Sequence, residues 1–308
     1  MRRAIPFLPV LAACLGIASF STMDAVMKGA SLAVGVYSAL VLRTAIGALL
    51  ILPIWVAQNR AGPARASLLL HAKRSAVVAC MAPLFFWGLV RMPISEAIAL
   101  SFIAPLIALY LAAVLLGESI QPRAIAASLV GFAGVVIIAA ARLGDEAGPP
   151  GSGWAIAAVL LSAMFYAWNL ILQRQQALIA GPVEVALFQN LFVSLFLLPA
   201  APWLWEWAKV IGPPFAGVAV LGADVPVLGI IAVASLLAVV SLMLLTWAYA
   251  RAEAQVLLPV EYTGFAWAAL FGWLWFDEAV TWTTVAGVAM IVGACWIAAR
   301  KSPPHSLH

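Results

Sequence analysis

Ten apolar runs, each close to the length needed to cross a lipid bilayer, occupy most of this chain: roughly residues 8–27, 36–57, 75–92, 96–116, 124–141, 153–173, 183–201, 226–248, 254–276 and 280–298. A hydrocarbon layer about 30 Å thick takes about 20 helical residues to span. Within it each backbone N–H and C=O must be satisfied inside the segment, so runs of this length are α-helices. The inventory agrees, because 66% of the 308 residues are hydrophobic and 9% charged. A water-facing domain carries about 25% charged residues. The expected fold class is an all-α membrane protein with ten transmembrane helices.

The net charge of +4 does not point to nucleic acid, because the cations stand singly between the apolar runs. Their distribution reads as topology. With a cytoplasmic N-terminus, inner connections hold 11 of the 16 Lys and Arg, Arg74 among them. The outer ones hold Lys28, Arg91, Arg142 and Lys209, and Arg43 lies within a run. Lys and Arg resist translocation, so both termini are expected in the cytoplasm, in a bacterial-type inner membrane. The opening "MRRAIPFLPVLAAC" resembles a secretory leader, but the apolar run continues to Val26, which favours a retained first helix. Cys14, Cys80 and Cys295 all fall within runs and lack metal-ligand spacing, so no metal or cofactor is implied.

The chain also repeats itself. At an offset of 160, Trp87 meets Trp247, Arg91 meets Arg251, Phe102 meets Tyr262 and Glu118 meets Glu278. At an offset of 146, Phe20 meets Tyr166, Lys28 meets Arg174 and Pro53 meets Pro199. The halves, 1–145 and 146–308, hold five runs each. Five is odd, so the second half enters from the opposite side and the two repeats are inverted. Such repeats supply two near-equivalent packings, one open to each side, as transporters use.

The stretches "PLIALYLAAVLLGE" (Pro105–Glu118), "EYTGFAWAALFGWLWFDE" (Glu261–Glu278) and "MDAVMKGASLAVGVYSALVLR" (Met23–Arg43) resemble the EamA-type family of the drug/metabolite transporter superfamily. The likeness runs over about residues 8 to 299. It implies a ten-helix inner-membrane carrier with a central cavity, moving small metabolites. One departure is Asp277, where the family more often carries Gly.

Ionisable groups inside spans cost about 2.5–3.5 kcal/mol each and normally face a cavity or a partner. Glu261 stands about seven residues into its run, roughly 10 Å deep. It is read either as a counter-ion or proton site for a substrate, or as a charge neutralised within the bundle. Asp24 and Lys28, one turn apart, form either a local ion pair or part of a gate, and Arg43 enters at a depth where it can meet Asp24. Tyr166, Asn169 and Gln173 lie along one helical stripe, with Gln189 and Asn190 in the next run. These amides are cavity lining or interhelical glue. Tyr262, Tyr249, Trp87, Trp247 and Trp267 are further candidate lining, although Trp at a span end is more often an interface anchor, as expected of Trp203, Trp205 and Trp207. Glu118 and Glu278 at span ends are read as caps of the following helices, with a gating role as the alternative. Pro105 is expected to kink the fourth span. The glycines of Gly131–Ala140 pack either inside the bundle or against a second copy, which leaves a homodimer open.

No P-loop is present and no connection is long enough for an enzyme domain. All three His are placed outside the runs. The leading expectation is a secondary carrier for a small organic metabolite, amphipathic and partly aromatic or cationic, with the lipid bilayer as its other partner. A scaffold or receptor, or a lipid-modifying membrane enzyme, is the alternative from another class.

Overall fold

A computed structural model of the chain describes residues 7–58, 62–116, 122–143, 152–200, 217–220, 223–252, 257 and 260–299. The first five runs become α1 (Phe7–Val34), α2 (Val36–Gln58), α3 (Arg65–Leu89), the broken pair α4 (Ile94–Ser101) and α5 (Ala104–Leu116), and α6 (Pro122–Leu143). The next five become α7 (Ser152–Ile179), α8 (Pro182–Leu197), α9 (Val227–Tyr249), α10 (Thr263–Phe276) and α11 (Trp282–Ala299). Five of these, α1, α2, α3, α7 and α9, are long and apolar enough to span on their own. Ahead of α9, a short antiparallel hairpin pairs β1 (Gly217–Val220) with β2 (Ala223–Pro226), an element the hydropathy pattern does not signal. Glu118, Trp203, Trp205 and Trp207 lie outside the described residues.

The packing repeats as the sequence does. Helix α1 lies along α9 and α3 lies along α7, the same contact made twice under the pairing of halves; α2 meets α8, and α6 meets α11. At the α6–α11 contact the backbones approach closely: a Cβ on Gly134 would stand 2.6 Å from the Gly287 carbonyl, and one on Gly287 would stand 2.8 Å from that of Gly134. These glycines are therefore consumed inside the bundle, because only a missing side chain admits such an approach.

Two spans break at equivalent places. The fourth is interrupted after Ser101, where Pro105 has no N–H to offer the Ser101 carbonyl and its ring would crowd it. The expected kink is thus a full break at Phe102–Ile103. In the ninth, the helical turn at Val260–Glu261 gives way at Tyr262 before α10 begins, and the Thr263 hydroxyl donates to the Val260 carbonyl at 2.7 Å. Phe102 and Tyr262, 160 positions apart, pack edge to face with ring centroids 5.1 Å apart. The two breaks meet at the centre of the molecule.

Candidate functional site

A cavity of about 170 Å³ lies at that meeting point. Polar groups reach it from α1 (Asp24), α2 (Arg43, Thr44), α3 (Arg74), α7 (Tyr166, Asn169, Gln173), α8 (Gln189, Asn190) and the ninth span (Glu261, Tyr262). Phe20, Phe85, Phe86, Phe102 and Leu242 supply much of the remaining wall. A cavity of about 150 Å³ holds one benzene-sized group, so this conformation admits a small organic moiety.

Glu261 is 9% exposed, and both of its oxygens are engaged. The Tyr249 hydroxyl donates to Oε1, and the Tyr166 hydroxyl donates to Oε2 at 3.3 Å. Tyr166 also lies within electrostatic reach of Arg74 and Asp24. The carboxylate is thus held by two phenols rather than by a cation.

Asp24 does not pair with Lys28. It turns into the cavity opposite Arg43, and Asp24 Oδ1 and Arg43 Nε find no hydrogen-bond partner among the described residues. The local pair expected at i, i+4 gives way because Lys28 finds a better partner beyond its own helix. Its ammonium donates to Glu278 and, at 2.7 Å, to the Met92 carbonyl, with the Phe276 ring 5.2 Å away. Glu278 also corrects its expected role. Its Oε2 accepts from the Ile94 N–H at 2.8 Å, so it caps α4, while α11 is capped by Thr281, whose Oγ1 accepts from the Thr284 N–H. Within electrostatic reach of Lys28, Arg142 approaches Glu96 at 3.7 Å and donates to the Arg91 carbonyl. Together with buried Met27, Leu40, Leu89 and Ile94, these groups close the bundle at the end where α1 finishes.

Asp277, the departure from the family pattern, is the residue that turns the chain there. It adopts φ 54° and ψ 34°, the one non-glycine with positive φ among the described residues. A glycine is ordinarily used in that conformation, and Asp tolerates it better than most side chains. The turn lays the Glu278 carboxylate on Gly272, where a Cβ would come within 2.8 Å of Oε2.

All three expected lining tryptophans stand elsewhere. Trp87 lies 3.9 Å from the Arg91 guanidinium and Trp247 lies 4.2 Å from that of Arg251, so these two positions form the same cation–π pair in each half, at span ends. Trp267 is 36% exposed and stacks on Phe271. Trp87 packs partly against the core, and none of the three is among the residues lining the cavity.

Conversely, two groups assigned to a connection are buried in the bundle. Helix α3 starts at Arg65, ten residues ahead of the apolar run, so His71 and Arg74 lie within it at 0% and 2% exposure. Arg74 donates from Nε to Asn169 (2.8 Å), from Nη1 to Gln176 (2.7 Å) and from Nη2 to Gln173 (3.1 Å). His71 Nε2 meets Glu184 at 3.0 Å, and its Nδ1 meets the Gln176 amide nitrogen at 2.8 Å. The signal was present: Ser67, His71, Arg74, Val78 and Ala82 follow a helical spacing, and Gln176 extends the Tyr166–Asn169–Gln173 stripe.

The EamA-like transporter family model matches the chain twice, over residues 7–140 and 153–300. The pseudopaline exporter CntI of Pseudomonas aeruginosa is 28% identical over 93% of this chain and 94% of its own length. A riboflavin transporter of Rhizobium johnstonii is 28% identical over 73% of this chain and 68% of its own. A probable terminal-alkyne amino-acid exporter of Streptantibioticus cattleyicolor is 36% identical over 38% of this chain and 37% of its own. A solved crystal structure superposes with a TM-score of 0.58 at 18% identity, covering 94% of this chain and 97% of that one, a likeness of fold.

Proposed function

The chain belongs to the EamA-like transporter family, and we propose that it is a secondary-active carrier that moves a small organic metabolite by alternating access. Family and relatives make it a multi-pass membrane transporter of small molecules rather than an enzyme. The finer reading places it in a bacterial inner membrane with both termini cytoplasmic, halves 1–145 and 146–308 rocking about the cavity, and a cargo of amino-acid, nucleobase or vitamin-like size. The positive-inside bias supports that orientation even with Arg74 withdrawn into α3. The relatives are named for pseudopaline, riboflavin and a terminal-alkyne amino acid, which supports a small organic cargo here.

The observation that carries this reading is the cavity. It lies where the two broken spans meet, and Asp24, Arg43, Arg74 and Glu261 all reach it. Ionisable groups placed there are expensive unless water or cargo visits them. Residues sealing one end while the middle stays hollow are what one state of an alternating-access cycle requires. Single cysteines at Tyr166, Asn169 and Glu261, labelled from each side in proteoliposomes, test it. Accessibility from both sides in different states is expected; a site closed to both sides in the folded protein overturns the carrier. Glu261 is the proposed proton site, so Glu261→Gln should abolish the pH dependence of transport. An unchanged pH profile removes that coupling.

A further inference from the structure

Among the buried cations of the described residues, Arg74 is the one left without an anion. Lys28 has Glu278, and Arg43 faces Asp24 across the cavity. Arg74 is 2% exposed and lines the cavity, yet its three described partners are all neutral amides. No carboxylate stands within ion-pair distance of it among the described residues. A guanidinium has five N–H groups, and three are donated here, one from each nitrogen, so one remains on each Nη. Paired N–H groups on a planar fork match a carboxylate or phosphate in geometry as well as charge. A buried charge in this position is costly until such a group arrives.

The surrounding side chains hold that fork in place. An arginine only donates, so Gln176 must turn Oε1 toward Nη1, which points its NH2 at His71 Nδ1. His71 Nδ1 is then an acceptor, and its proton sits on Nε2, donated to the Glu184 carboxylate. Every bond from Glu184 to Arg74 has one allowed direction. The Phe188 ring stacks on His71 at 5.3 Å, fixing the imidazole plane. Three amides and a braced imidazole fix the guanidinium before any ligand enters, so little ordering remains to oppose binding.

We propose that Arg74 is the receptor for a carboxylate on the transported molecule, making the cargo an organic acid or zwitterion with an apolar body of about ring size. This deepens the carrier reading and rests on it. It also replaces the cationic preference drawn from Glu261, because that carboxylate is already occupied by Tyr166 and Tyr249. Asn169, Gln173 and Gln176 are positioning residues for the guanidinium.

The test uses the full chain in detergent, titrated with 3-phenylpropionate and L-phenylalanine and, in parallel, with the amide of each, following the thermal unfolding midpoint. A saturable rise is expected with at least one acid, and a much weaker one with its amide. Affinity for the acid should fall about 10–100-fold in Arg74→Gln, the range for a hydrogen bond to a charged group. Arg74→Lys, which keeps charge and loses the fork, should fall in between. Amides that stabilise as well as acids, acid binding undiminished in Arg74→Gln, or no saturable rise with either acid each overturn the assignment. The comparison of acid with amide needs no variant, so a misfolded Arg74→Gln does not rescue it. Movement of uncharged or cationic solutes in proteoliposomes alongside a failed titration leaves a carrier with a different cargo. A successful titration in a protein that moves nothing across the bilayer instead removes the transport reading.

Discussion

The sealed end and the cavity treat buried charge in opposite ways. At the sealed end Lys28 and Glu278 pair directly, and each also satisfies backbone groups, the Met92 carbonyl and the Ile94 amide. In the cavity Asp24 and Arg43 face one another with polar atoms unbonded, Arg74 sits among amides, and Gln189 Oε1 has no partner among the described residues. Apart from Glu261, which two phenols hold, compensated charges make a lock and uncompensated ones make a site. The physical difference is reversibility: the first set gains its partners when this conformation forms, and the second gains them when something else enters.

The largest effect expected from breaking that comparison is at the lock. Glu278→Ala leaves Lys28 buried without an anion, which costs about 3–5 kcal/mol. A cysteine at Ser101, in the cavity wall, should then label at least about 100-fold faster from the sealed side. Replacing both partners, Lys28→Met with Glu278→Gln, should cost less than the two single changes together. Strict additivity would mean the pair is not coupled.

Within the cavity, Tyr249→Phe removes a phenol from Glu261 and should lower thermal stability by about 1.5–3 kcal/mol, more than Tyr166→Phe, whose bond to the same carboxylate is longer at 3.3 Å. Equal effects would show that the two phenols do not share the carboxylate as described. At the α6–α11 contact, away from both regions, Gly134→Ala should destabilise by about 1–3 kcal/mol through overpacking. Its labelling pattern should stay that of the wild type, which separates loss of fold from loss of lock. The smallest change is Asp277→Gly. It relieves the left-handed backbone and should stabilise by no more than about 1 kcal/mol in chemical unfolding; a loss would mean that the Asp side chain itself supports the turn.

Much of the bundle is legible in the sequence. Apolar length located the spans, and the 160-residue offset identified Phe102 with Tyr262, which turn out to touch. Glu261, Tyr166, Asn169 and Gln189 stand out in the sequence as polar groups in apolar surroundings, and all four reach the cavity. Arg74 and His71 escaped because hydropathy places a helix end at the last apolar residue, whereas α3 continues through a charged turn that other helices bury. The tryptophans misled for the converse reason. Trp87 and Trp247 lie near the end of their helices, where Arg91 and Arg251 one turn on offer a partner that composition does not reveal.

By itself the order of residues determined the number of spans and their inverted doubling, because those follow from segment length and local polarity, and its motifs carried the likeness to the family. Which charge meets which was decided only by the tertiary structure. Lys28 lies four residues from Asp24 and 250 from Glu278, and it bonds Glu278. Where little water competes, a charge takes the partner that satisfies it most completely, and that partner is chosen by how the helices pack.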